Sequence, residues 1–146
     1  MASAAKLITV PGDGPQPADL LIVGEAPGRH EEAWSTCIKC KAEMSREDST
    51  RCYCGGELRS TPKPFVGESG KMLTRELAKV GLDRGKIRVD NVVNVRPPDN
   101  DLKRLGELGL SMDDFIDHTL EMINKTQPKV IVPTGNTALA MLCEVK

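Results

Sequence analysis

A chain of 146 residues with net charge −1 and pI near 6.1 has room for one domain and shows no bulk positive field to advertise nucleic acid. Hydrophobic content of 39% against 3% aromatics leaves the packing to valine, leucine and isoleucine. No charged start leads into a long apolar run and no stretch approaches the roughly 18 apolar residues of a membrane span, so a cytoplasmic, membrane-free setting is expected. In that setting five cysteines point to metal or reduced thiols before disulfides.

Residues 1–19 are punctuated by Pro11, Gly12, Asp13, Gly14, Pro15 and Pro17 and read as a flexible arm. Leu20 to Val23 is an unbroken apolar run, the pattern of a strand buried on both faces of a parallel sheet. Gly24 to Gly28, GEAPG, is then a strand-to-helix turn, and HEEAW a first helical turn. Composition changes at Thr36: residues 37–63 hold four cysteines, many charges and no apolar periodicity, which marks an inserted module. The main domain, residues 20–146, resumes at PFVGESG. Lys71 to Val80 sets Met72, Leu73, Leu77 and Val80 on one helix face, with Gly81 as the stop. Ile87 to Val95 is strand-like and ends at RPPDND. Asp113 to Asn124 is a helix capped by Ser111, showing Phe115, Ile116, Leu120 and Ile123. Pro128 leads into KVIVPTG, a third buried strand, and Asn136 to Cys143 is helical, with Cys143 on an apolar face as a core residue.

Three strands alternating with helices predict an α/β fold: a three-layer α/β/α arrangement around a parallel, doubly wound sheet. Ligands of such sheets sit beyond the carboxyl ends of the strands, where GEAPG, NVVNVRPP and TGNTA fall.

In the inserted module Cys37 and Cys40 form a CxxC, and Cys52 and Cys54 a CxC followed by Gly55 and Gly56. Two close pairs across an eleven-residue loop can present four thiolates tetrahedrally, as Zn²⁺ prefers. The spacing resembles a zinc ribbon with a shortened second knuckle, and the glycines are expected to turn backbone amides toward the sulfurs. So short and polar a segment needs metal for its folding energy. Structural zinc on these four cysteines is the expectation; free or redox-active thiols and an iron centre are the other readings. Lys39, Lys41, Arg46, Arg51, Arg59 and Lys63 outnumber the neighbouring acids. They form either a DNA-touching surface or a plain solvated face.

Glu25 and Glu31 stand at the mouth of the first strand, Phe65 in a glycine-flanked loop and Asn91 near the end of the second strand. A carboxylate, an aromatic ring and an amide suit a flat polar base: the ring stacks, the amide offers one donor and one acceptor in a plane, and the carboxylate orients water or stabilises positive charge on a sugar. The bland alternatives are a turn-shaping Glu25, a helix-start Glu31, a core Phe65 and a strand-end Asn91. His30, beside the pocket, and His118, on a helix far from the strand ends, are read as bland.

The stretches GEAPG, PFVGESGKML, VDNVVNVRPP and PKVIVPTGNTALAML occur in an order that resembles the uracil-DNA glycosylase superfamily, nearest its iron–sulfur class, common in thermophiles. The resemblance covers nearly all of the chain outside the arm and the cysteine module. It implies that Gly24, Glu25 and Ala26 belong to the water-activating motif, with Gly24 and Ala26 on the substrate side, and that Glu31 is its second acidic position. It implies Phe65 as the ring that stacks on uracil and Asn91 as the reader of the uracil edge. The implied activity is hydrolysis of the N-glycosidic bond of a uracil flipped out of DNA, which is base-excision repair and needs no redox cofactor.

Three departures qualify the resemblance. The iron–sulfur class places a cysteine pair near the start and another cysteine where Val95 stands, so no iron–sulfur cluster is expected at the family's usual position. The sequence stops at Lys146, before the fourth strand and its histidine motif, so the sheet is expected to lack its last strand. A fragment of a longer protein, or a partner or downstream domain supplying the rest, is the expectation. Asp101 stands where a basic residue is usual, which implies a weaker phosphate contact. Related domains also head some phage DNA polymerases, which implies a phage or replication setting, with the host cytoplasm as location and replication proteins as partners. The alternative reading is a non-catalytic DNA-binding or replication-accessory module. A nucleotide-binding domain is a third, against which the lack of GxGxxG or a lysine-bearing phosphate loop counts.

Overall fold

The computed structural model describes residues 7–144. Strand β1, Leu20–Gly24, is the centre of a three-stranded parallel sheet, flanked by β5, Arg88–Asn91, and β6, Val130–Pro133. Its apolar run is buried on both faces for a simple reason. Leu21 and Val23 point into one cluster with Val92, Phe115, Met122 and Met141, while Ile22 points into another with Leu77, Ile87 and Val89. Helix α2, Glu68–Lys79, covers the second cluster; α3, Ile116–Thr126, and α4, Asn136–Glu144, cover the first. This is the expected three-layer α/β/α architecture.

Several elements differ from their sequence expectations. Helix α2 starts at Glu68 and turns Gly70, Leu73 and Leu77 inward, leaving Met72 and Val80 exposed. The second strand leaves the ladder at Asn91, although Val92 N–H and Val93 N–H still donate to the Gly24 and Glu25 carbonyls at 3.0 Å each. Edge strand β6 is not buried on both faces: Val130 and Val132 are 55% and 40% exposed. Cys143 is exposed, not core. Residues 102–108 form a 3-10 segment capped by Asp101, whose carboxylate accepts the Lys103 N–H at 3.0 Å.

The flexible arm is corrected over its described part. Val10 is 1% exposed and donates its N–H to Asn94 O at 2.7 Å; Asp13 and Val89 exchange two backbone hydrogen bonds of 2.9 Å; Ala18 N–H reaches Thr126 O at 3.0 Å. The prolines and glycines that suggest looseness shape a strap across β5 and α3. Residues 1–6 lie outside the described part.

The inserted module has its own antiparallel sheet, in the order β3–β2–β4: β2 is Trp34–Cys37, β3 Glu43–Ser45 and β4 Leu58–Ser60. It therefore begins three residues before Cys37. Its small core is Cys37, Cys52 and Leu58 with Met44 against them, so thiols occupy the place of a hydrophobic centre.

Candidate active site and metal centre

Parallel pairing puts the carboxyl ends of β1, β5 and β6 at one edge, with Gly24 opposite Asn91 in register. A Cβ on Gly24 would lie 2.5 Å from Asn91 Oδ1 and 2.8 Å from Phe65 Cζ, so the amide and the ring meet over a position that only glycine fits. Asn91 is 5% exposed, yet its side-chain amide has no hydrogen-bond partner among the described residues. Glu25, the next residue after Gly24, is exposed, and its carboxylate likewise has no partner among the described residues. Ala26 packs against the core cluster, and Thr134, in TGNTA, donates its N–H to Val23 O at 2.8 Å and so ties β6 to β1.

Glu31 is in α1, Arg29–Glu32, and has two oxygens in different situations. Oε1 accepts the Gly28 N–H at 3.2 Å, the helix-start role that acids often take; Oε2 is buried without a partner, beside Gly67 in the Phe65 loop. His30 is bonded through Nδ1 to Ser45 Oγ at 2.9 Å and belongs to the seam with the cysteine module.

Phe65 adopts φ +57, a left-handed conformation that costs a bulky residue of order 1 kcal/mol or more. Arg84 holds it there, donating to the Phe65 carbonyl and, at 2.5 Å, to the Pro64 carbonyl. Burial lowers the Arg84 pKa from its ordinary value, against the charges of Asp13, Glu31 and Glu43. Nothing in the local sequence DRGK separates this residue from a surface turn. Arg84→Ala is expected to cost about 2 kcal/mol in urea unfolding, because a charged donor to two part-buried carbonyls is lost, and to free the Phe65 loop. An open cleft of about 410 Å³ adjoins the ring, lined by Trp34, Lys71, Arg75 and Arg84 among others.

The structure gathers the four knuckle cysteines. Their sulfurs lie within 4.8 Å of one another, with Cys37–Cys54 at 3.5 Å and Cys40–Cys52 at 3.4 Å. A tetrahedral ion with Zn–S bonds of about 2.3 Å needs sulfurs about 3.8 Å apart, so the set fits a single metal ion. The amides aimed at Cys37 Sγ are those of Lys39 and Cys40, at 3.4 and 3.5 Å, rather than those of the glycines. Gly56 matters through close approach: a Cβ there would sit 2.6 Å from Cys37 Sγ. The Cys40 N–H, aided by that of Lys39, holds the Cys37 thiol down to about 6 against its burial. For Cys52 the Cys54 N–H pulls downward, but burial and the neighbouring thiols push it up to about 12.

The family model described as Uracil DNA glycosylase superfamily matches residues 11–145, and the chain belongs to that superfamily. Among curated relatives, the chain is 35% identical to a type-4 uracil-DNA glycosylase of Archaeoglobus fulgidus over 88% of this chain and 49% of that protein. It is 30% identical to a type-4 uracil-DNA glycosylase of Thermotoga maritima over 94% of this chain and 55% of that protein. A DNA polymerase of Bacillus phage SP01 is 33% identical over 57% of this chain and 9% of its own length. The chain thus spans about half the length of the type-4 relatives it matches. Where the resemblance placed a cluster cysteine, Val95 is 5% exposed and packed in the main apolar core. Among the described residues no helix is long and apolar enough to cross a membrane.

Proposed function

We propose that this domain binds a uracil flipped out of DNA and hydrolyses its N-glycosidic bond. The observation that carries the reading is the meeting of the Asn91 amide and the Phe65 ring over Gly24, with the amide free of partners among the described residues. Phe65 stacks on the base, Asn91 offers its planar donor and acceptor to the base edge, and Glu25 orients the attacking water or stabilises the sugar's developing positive charge. Gly24 and Ala26 shape the substrate side, and Glu31 is the second acidic group of the site, its Oε2 buried beside the Phe65 loop with no partner among the described residues. The Trp34–Arg75 cleft takes the strand beside the flipped nucleotide, its Lys71 and Arg75 answering phosphate. Cys37, Cys40, Cys52 and Cys54 hold a structural zinc, which organises the module and takes no part in the hydrolysis.

The test is release of uracil from an oligonucleotide by the chain, and by any longer form its gene encodes, against Glu25→Ala. Release by wild type that falls roughly a hundredfold or more in Glu25→Ala supports the reading. No release from the folded protein, in any form its gene encodes, on single- or double-stranded substrate overturns it. The likeness to part of a phage DNA polymerase favours one second reading, a replication-linked DNA-binding module that keeps the fold without the chemistry. Steep salt dependence of DNA binding, carried by lysine and arginine and indifferent to Glu25 and Asn91, marks that outcome.

A further inference from the structure

The face of β5 opposite the base pocket carries a polar group that the hydrolysis described above does not use. Asp90, adjacent to Asn91, points away from Phe65 and is 3% exposed. Its Oδ1 accepts the Asn91 N–H at 2.8 Å. From α3, His118 Nε2 lies 2.9 Å from the Asn91 carbonyl oxygen and 3.5 Å from the same Asp90 Oδ1. One carboxylate and one imidazole thus hold both hydrogen-bonding groups of the Asn91 residue's backbone. His118 is not remote from the strand ends, as its place in the sequence suggests, because α3 crosses behind them.

We infer that Asp90 and His118 form a proton-dependent clamp that fixes the orientation of Asn91, making His118 a positioning residue for base recognition. The inference rests on the proposed role of Asn91. The geometry requires a proton on Nε2, since only then does the ring donate to the Asn91 carbonyl. The imidazolium always carries that proton and also answers the Asp90 charge. The neutral ring carries it in one tautomer only and loses the charge assistance.

Among the described residues, the charged groups facing His118 are Arg88 and Asp90 from β5 and Glu121 and Lys125 from its own helix, and the strap brings uncharged residues such as Thr9 and Gln16 to this cavity of about 220 Å³. Burial works against the charged ring, but the hydrogen bond and charge of Asp90, with the Asn91 carbonyl and Glu121 adding to them, raise the His118 pKa above the ordinary histidine value. A raised folded-state pKa makes the clamp complete below the ordinary histidine value and loosens it as pH rises through the higher folded value.

His118→Gln tests this, because glutamine can place an amide N–H near the Nε2 position but does not titrate. Following Asn91 backbone and side-chain signals by NMR through a pH titration is the first arm. In wild type they are expected to move with the His118 midpoint, and in His118→Gln to stay flat. The second arm is uracil release: a roughly tenfold decline across that midpoint in wild type, a flat profile in His118→Gln, and a roughly tenfold loss at low pH in His118→Leu. Asn91 signals indifferent to His118 titration, or a His118→Gln profile that still follows the wild-type midpoint, overturn the clamp. A wild type that releases no uracil overturns the proposed activity instead, and the NMR arm then decides the clamp alone.

Discussion

Removing metal from the four-cysteine knuckle is expected to abolish uracil release and not merely to loosen a remote appendage. The module has too little apolar core to fold alone: Cys37, Cys52, Leu58 and Met44 are its centre, and two of the four belong to the candidate metal set. Structural zinc on thiolates contributes on the order of 10 kcal/mol to such units. The coupling to the base pocket is in the chain path. The module begins at Trp34, just after the helix that carries Glu31, and its last strand ends at Ser60, five residues before Phe65. The seam is closed by Lys63 N–H to Glu31 O at 3.1 Å, Thr61 N–H to Trp34 O at 2.9 Å and Arg46 N–H to Ala33 O at 3.0 Å. Unfolding it turns a closed seam into a flexible loop of roughly thirty residues, whose closure costs about 3 kcal/mol. Glu31 and Phe65 then lose their fixed places together. A thiol-competing chelator, or Cys37→Ser, is therefore expected to lower release about a hundredfold or more, with re-added Zn²⁺ restoring the chelated protein. Cys143→Ser, at an exposed position outside the cluster, leaves the rate unchanged. Elemental analysis of the purified chain distinguishes zinc from iron. Full activity in metal-free protein contradicts the coupling.

What could be read from the sequence follows from which interactions are local. Leu20 to Val23 announced a central parallel strand because burial on both faces removes polar alternation. The cysteine spacing announced a knuckle because four ligands within 18 residues leave few other arrangements. Phe65 and Asn91 could be set beside Glu25 from the residues alone, because ligands of such sheets lie beyond the strand ends; Gly24 entered only through the resemblance, since its place opposite Asn91 depends on strand register. The strap over β5 could not be read, because Val10 is held by contacts with residues more than eighty positions away. Arg84 and His118 were illegible for the same reason: each acts on backbone carbonyls of a distant segment, and a carbonyl has no sequence signature. The rotation of α2 was missed because Met72 and Val80 match the helical period, while the close packing of Gly70 on the Phe65 loop decides which face turns inward.

Asn91→Ala is expected to lower kcat/KM for uracil release about a thousandfold while changing stability little. The two halves have separate causes. The protein relies on the Asn91 backbone, gripped by Asp90 and His118, and alanine keeps both bonds. The side-chain amide makes no hydrogen bond to the described protein, so its removal leaves no protein group newly unsatisfied. The base has no such tolerance. Inside a closed pocket an edge with one donor and one acceptor must find both partners or leave water-binding groups buried, and polar sites that lose such pairs discriminate by several orders of magnitude. Glu25→Ala should behave differently: acting on water or on charge at the sugar, it lowers kcat with little change in binding of uracil-containing DNA, whereas Asn91→Ala weakens binding of the flipped base as well. Single-turnover kinetics with measured DNA affinity separates the two. An Asn91→Ala protein that folds normally and releases uracil at the wild-type rate removes Asn91 from the pocket. In that case the ring of Phe65 over Gly24 would be left as a packing contact and the edge-reading geometry at the end of β5 would have no ligand to read.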